Sequence, residues 1–192
     1  ALPISGTNSA LLLRWMEQAY RLLRDHPINR ARRQAGKNPA NAIWFWGEGR
    51  KPALTPFFEK TGLHGAVISA VDLIQGIGRC AEMDVISVEG ATGTFETNFA
   101  GKAQAAIRAL SGGADYVYIH LEAPDECGHH GQIAEKIYSI EQIDSKIVAP
   151  VWTYLEESGE DYAILVLPDH PTPIQIRTHS SEPVPFAIYR KG

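Results

Sequence analysis

The sequence predicts an α/β unit, a mostly parallel sheet with helices on both faces, and three observations carry that expectation. Short apolar runs rich in β-branched and aromatic residues alternate with longer amphipathic segments along most of the chain, the order expected of successive β-α-β units. Two of those runs, residues 116–121 and 162–167, empty directly into clusters of carboxylates and histidines, and ligands in open parallel sheets gather just beyond the carboxyl ends of strands. The 192 residues, 44% apolar and 21% charged, have the composition of an ordinary globular protein, and no repeat, low-complexity tract or linker divides them. One unit over residues 1–192 is expected.

Each element has its own signal. Thr7, Asn8 and Ser9 offer caps for a helix reaching Arg24, with Leu12, Trp15, Met16, Ala19, Leu22 and Leu23 at helical spacing. Pro27 ends it, because proline disfavours the α conformation in its predecessor. The basic segment holding Arg30, Arg32, Arg33 and Lys37 fits a short helix or a loop. Residues 41–46 (NAIWFW) predict a buried strand closed by the glycines at 47 and 49. A short helix over 55–61 precedes a strand at 65–70, a helix at 71–81 and a strand at 84–88. A polar loop at 89–101 leads into an Ala-rich helix at 102–110, then the strand before Asp125. The longest helix spans 132–157, with an inner stripe of Ile133, Ile137, Ile140, Ile147, Val151 and Leu155, and Pro150 kinks or divides it. The strand before Asp169 follows. Residues 183–189 form a last strand, which Pro183 and Pro185 push to a sheet edge.

Charge and composition exclude several classes. A net charge of −4 gives no reason to expect nucleic acid or an anionic membrane. Two cysteines, Cys80 and Cys127, are too few for a disulfide scaffold and suit a reducing cytoplasm. No apolar run approaches a membrane span, and Leu11, Leu12 and Leu13 are followed by Arg14 and Glu17, unlike a signal peptide.

The two strand-end clusters supply the ingredients of a divalent-metal site with nitrogen and oxygen ligands. Asp125 and His129 lie four apart and can share one side of a turn, with Gly128 free to take an unusual φ. Asp169 and His170 stand in a segment stiffened by Pro168, Pro171 and Pro173, and His179 follows nine residues after His170. Glu122 and Glu126 are alternative ligands, Cys127 fits better as a small packed residue, and His130 is the lesser of two adjacent histidines. The glycine pairs 47/49 and 76/78 lack the third glycine of a dinucleotide fingerprint, and Gly101-Lys102 lacks the rest of a P-loop. Arg50, Lys51 and Lys102 could meet an anion or be solvated surface cations.

Several long segments together resemble one family: DHPINRARRQAGKNPANAIWFWGEG at 25–49, SVEGATGTFETNFAGK at 87–102, HLEAPDECGHHG at 120–131, IEQIDSKIV at 140–148, LPDHPTP at 167–173 and THSSEPVPF at 178–186. They resemble the archaeal-type branch of the cofactor-independent phosphoglycerate mutases, within the alkaline phosphatase superfamily. The resemblance implies an alkaline-phosphatase-like core, a cytoplasmic glycolytic enzyme interconverting 3- and 2-phosphoglycerate, and two divalent ions, manganese with magnesium or zinc as alternatives. It implies that Asp125, His129 and His179 hold one ion, and that Asp169 and His170 contribute to the second. Arg50, Lys51 and Lys102 are the implied substrate-binding cations. In the family the second ion is completed by an aspartate near the N-terminus and by the nucleophilic serine. No such motif precedes residue 25, where Ser5 and Ser9 lie in a lead-in. The chain therefore reads as the C-terminal part of the metal-binding domain, lacking the nucleophile and most of an inserted domain, with the N-terminal remainder of the same protein as its partner. Alone, it is expected to be inactive. The alternatives are a related phosphotransferase or phosphatase acting on another small phosphorylated metabolite, and a silent metal-binding fragment.

Overall fold

The computed structural model describes residues 6–45, 47 and 49–192, which divide into two compact units after Lys51. In the first unit, α1 (Ser9–Leu23) starts after Asn8 and α2 (Pro27–Gln34) starts with proline at its first position. The basic segment is thus helical. The expected strand at 41–46 is absent: residues 41–45 carry no strand pairing, and Ile43, Trp44 and Phe45 are exposed. Trp46 lies outside the described residues, as do Ser5 and Glu48. The buried Asn29 organises this region instead. Its amide donates to the carbonyls of Leu23 (2.7 Å) and Ala40 (3.0 Å) and accepts from the Ala40 N–H (2.8 Å). A side chain has met backbone needs that a neighbouring strand would otherwise meet.

The second unit carries the parallel sheet. After α3 (Phe57–Thr61) come β1 (Gly65–Ile68), α4 (Asp72–Cys80), β2 (Asp84–Ile86), α5 (Phe99–Ser111) and β3 (Tyr116–Ile119). The order is β2-β1-β3, all parallel, with Val67 opposite both Val85 and Tyr118. Strand alternation divides the faces. Ile68 packs with Ala105 and Ala106 of α5, joined by Ile86, Val117 and Ile119. On the other face, Gly78 of α4 presses on Val67 and Val85, and Phe57 stacks near Tyr116. Helices therefore cover both faces.

Beyond β3 the chain forms α6 (Ala123–His130), α7 (Ile133–Ile143), a turn of π-helix (Asp144–Val148) and α8 (Ala149–Ser158). The expected long helix is divided just ahead of Pro150. A proline clashes with the carbonyl four residues back, here Lys146. The Ala149 N–H bonds to the Asp144 carbonyl, five residues back, and this wider turn accommodates the ring. The extra residue also rotates the register by about 100°, which corrects the expected inner stripe. Ile147 is buried and Val151 packs on the core, but Ile133, Ile137 and Ile140 are exposed and Ser139 is buried in their place.

The last two strands, β4 (Tyr162–Val166) and β5 (Ala187–Lys191), form a separate antiparallel pair, with Ile164 opposite Tyr189. The last strand thus begins beyond the three prolines at 173, 183 and 185, which cannot donate to a ladder. The pair rests on α8: Tyr189 meets Trp152, and Glu156 takes bonds from Tyr162, Trp152 and Lys191. Among the described residues no helix is long and apolar enough to cross a membrane.

Candidate metal centre

Asp125 and His129 occupy one face of α6, four residues apart, so a helix rather than a turn brings them together. Gly128 accordingly has no positive φ. Its role is close approach: a Cβ there would lie 2.5 Å from the Thr172 carbonyl oxygen, so α6 and the 171–173 segment are in backbone contact. The left-handed turn falls at Gly131 (φ 71°), which lets the chain leave α6 beneath the Arg177 guanidinium.

His179 reaches the same point from the loop after β4. Its Nε2 lies 3.4 Å from Asp125 Oδ1 and 3.1 Å from His129 Nε2, and His129 Nε2 lies 3.3 Å from Asp125 Oδ2. One ligand atom from each of the three residues falls within 4.8 Å of the others. The hydrogen bonds fix what those atoms offer. His129 Nδ1 lies 3.0 Å from the Arg177 carbonyl, which can only accept, so Nδ1 carries the proton and the Nε2 lone pair faces the cluster. A ring nitrogen donating to a backbone carbonyl is the usual support of a metal-binding imidazole. Arg177 holds φ 53°, costly by roughly 1–2 kcal/mol for a residue with a side chain, at the point where its carbonyl takes this bond. Two imidazoles and a carboxylate, partly exposed and with no apolar screen between them, fit a divalent cation.

Asp169 and His170 stand next to this group. The His170 and His179 rings are 3.7 Å apart, His170 Nε2 is 3.4 Å from Asp169 Oδ2, and the Asp169 carboxylate accepts the His170 N–H. Thr172 joins the two clusters. This buried residue donates its hydroxyl to Asp125, stands 3.3 Å from His170 Nδ1, and its carbonyl accepts from Lys136 Nζ (2.8 Å). Sequence reasoning passed over Thr172, although its place between two prolines beside Asp169-His170 was visible.

The other candidates separate. Burial first, then the charges of Glu126 and Asp125, push the Glu122 carboxyl upward, so the region's field is negative and suits a cation. Glu126 is drawn off toward His130, and Cys127 packs out of solvent beside Ser139. Lys102 is no surface cation. It is buried in the first turn of α5, its Nζ donates to the His120 carbonyl (3.4 Å), and burial lowers it to about 8 against the opposing charge of Glu122. Arg50 and Lys51 are exposed and belong to the first unit. A further pair was not foreseen: Ser69, following β1, and His120, following β3, meet at 3.2 Å.

Comparison with known proteins adds the following. A family model described as the metalloenzyme superfamily matches residues 23–192. The chain is 54% identical over 187 residues to a 2,3-bisphosphoglycerate-independent phosphoglycerate mutase of Methanothrix thermoacetophila, covering 97% of this chain and 47% of that protein. It is 50% identical to a probable enzyme of the same name from Geobacter sulfurreducens, over 96% of this chain and 46% of that one. The PH0037 protein of Pyrococcus horikoshii superposes with a TM-score of 0.83 at 31% identity, covering 99% of this chain and 49% of that structure. The chain thus spans about half the length of the curated relatives it matches.

Proposed function

The chain belongs to the metalloenzyme superfamily, and we propose that it is the C-terminal, metal-binding part of a cofactor-independent phosphoglycerate mutase. The convergence of Asp125, His129 and His179 within 4.8 Å carries this reading, and the curated relatives at 50–54% identity support it by name. Asp125, His129 and His179 would hold one divalent ion, and Asp169 and His170 would contribute to a second. Manganese suits these ligands, with magnesium or zinc as alternatives. When bound, such ions neutralise phosphoryl charge and lower the pKa of an attacking hydroxyl.

The chain's own residues do the positioning. Arg177 holds His129 in the tautomer that presents Nε2, and Thr172 holds Asp125 beside the Asp169-His170 loop. Lys102, in the first turn of α5 with its ammonium against the His120 carbonyl just beyond β3, is placed to set a cation against a phosphoryl oxygen. Arg50 and Lys51 are further candidates for substrate charge. The nucleophilic serine and the remaining metal ligands are proposed to come from the part of a longer protein that these residues do not include. The setting would be glycolytic and cytoplasmic, as Cys80 and Cys127, both free thiols, suit.

Enolase-coupled turnover of 3-phosphoglycerate with added Mn²⁺ tests the proposal. The longer protein should turn over, should lose activity on Asp169→Ala, and the 192-residue chain should be silent, since loss of a nucleophile costs several orders of magnitude. No turnover in the longer protein would move the substrate to another phosphorylated metabolite. Turnover in the short chain would show that it contains a nucleophile.

A further inference from the structure

Ser69 and His120 stand at the carboxyl ends of adjacent parallel strands, outside the five candidate metal ligands. Ser69 is 4% exposed, and its Oγ accepts the Val71 N–H at 3.0 Å. A buried hydroxyl must also donate, because an unpartnered donor away from water is strongly disfavoured. Among the described residues the one recorded partner for that proton is His120 Nδ1, at 3.2 Å. Were Nδ1 itself protonated, Ser69 would accept twice and its own proton would point at nothing. Nδ1 therefore accepts, and in the neutral ring the proton sits on Nε2.

The ring is held from several sides. The His120 backbone N–H donates to Ile68 (2.8 Å), its carbonyl receives Lys102 Nζ, and its imidazole stacks with Tyr118 at 6.3 Å. Among the described residues no protein group hydrogen-bonds Nε2. No buried side-chain nitrogen or oxygen among the described residues lacks a partner, so Nε2 is open to solvent or to a ligand. The ring follows β3, and the charges of Asp169, Lys102 and Asp125 all act on it beside the larger effect of burial, so it lies near the strand ends where the candidate ligands gather.

We propose that Ser69 locks His120 as its Nε2–H tautomer, and that this N–H donates to a phosphoryl oxygen bound at the carboxyl ends of β1 and β3. The role rests on the reading of the substrate as a phosphorylated metabolite. Ser69 is then a positioning residue and His120 the contact. A fixed neutral donor next to the Lys102 ammonium gives the phosphoryl group direction as well as charge.

Two measurements on the intact protein test this separately. Long-range ¹H–¹⁵N spectra of histidine-labelled protein should show His120 with its proton on Nε2. Ser69→Ala should convert it to a tautomer mixture, and inorganic phosphate with Mg²⁺ should shift the Nε2–H signal. In turnover of 3-phosphoglycerate, His120→Phe should lower kcat about 100-fold, and His120→Gln, which returns an N–H near the same place, should restore most of it. A proton on Nδ1, a tautomer indifferent to Ser69→Ala, a signal unmoved by phosphate, or wild-type kcat in His120→Phe would each overturn the proposal. If the wild-type protein does not turn over phosphoglycerate, the functional reading fails, and the tautomer and phosphate response still decide the role of His120.

Discussion

Gly128→Ala sets two well-measured effects against each other. Within a helix, replacing glycine with alanine is worth about 1 kcal/mol of added stability, and Gly128 lies inside α6. Propensity alone therefore predicts a rise in Tm. The new Cβ, however, would sit 2.5 Å from the Thr172 carbonyl oxygen, 2.9 Å from Thr172 Cγ2 and 3.0 Å from Lys136 Nζ. Comfortable separation for such atoms is roughly 3.5 Å, and the nearest of them is backbone. The lysine cannot simply swing aside without giving up its 2.8 Å bond to the same carbonyl. α6 and the 171–173 segment must part, and overpacking of this kind costs about 1–3 kcal/mol. The net expectation is a loss of about 1 kcal/mol, or about 2–4 °C in Tm for a chain of this size. Parting those segments also pulls Thr172 from Asp125, and lost support of a ligand typically weakens metal binding about 10-fold or more. Thermal melts with and without chelator, together with Mn²⁺ titration calorimetry, measure both quantities. A variant that melts higher than wild type and binds Mn²⁺ equally well would refute the close-contact argument.

Asp125→Asn keeps the shape of the centre and removes its charge, so divalent affinity should fall by more than 10-fold in calorimetry while the metal-free Tm moves little. Unchanged affinity would remove Asp125 from the ligand set. Lys102 gives a pH signature. Its folded pKa lies near 8, below the ordinary 10.5, so between those values the unfolded chain binds the extra proton and stability rises with pH. Below pH 8 the buried charge costs at most about 3 kcal/mol, which Lys102→Met should relieve. Metal-free melts should show the variant more stable than wild type at pH 7, with the advantage gone above pH 10.5. A variant less stable at pH 7 would mean that Glu122 and the His120 carbonyl more than offset the burial.

The fold was largely legible because its signals are local. β1, β2, β3 and β4 fall where apolar runs end in polar clusters, and α5 follows its Asn98 cap, whose side chain accepts the Gly101 N–H at 2.8 Å. The misreadings arise where a contact or a backbone adjustment that the local pattern does not show decides the outcome. Residues 41–45 have strand composition, yet Asn29, eleven or more positions earlier, satisfies the backbone at Ala40. The stripe through Ile133, Ile137 and Ile140 obeys helical spacing, yet one extra residue ahead of Pro150 rotates it away from Ile147 and Val151. Lys102 looks like a surface cation from composition alone, and only the packing of α5 against β3 shows it buried.

The Asp125-His129 pairing survived a wrong local structure for a geometrical reason. A four-residue separation places two side chains on one side of a tight turn and equally on one face of a helix. The sequence reading needed only that they share a side, and the helix supplies it more rigidly than a turn would. What spacing could not reveal is which imidazole nitrogen faces inward. That depends on the Arg177 carbonyl, 48 positions away from His129, and on a backbone angle at Arg177 with no signature in composition. The same holds for Ser69 and His120, 51 positions apart. In both places residue type announces that a histidine is available, and a distant backbone or hydroxyl group decides where its proton sits. Which residues can converge on a cation is thus written locally, whereas the protonation of their imidazoles is written by the fold.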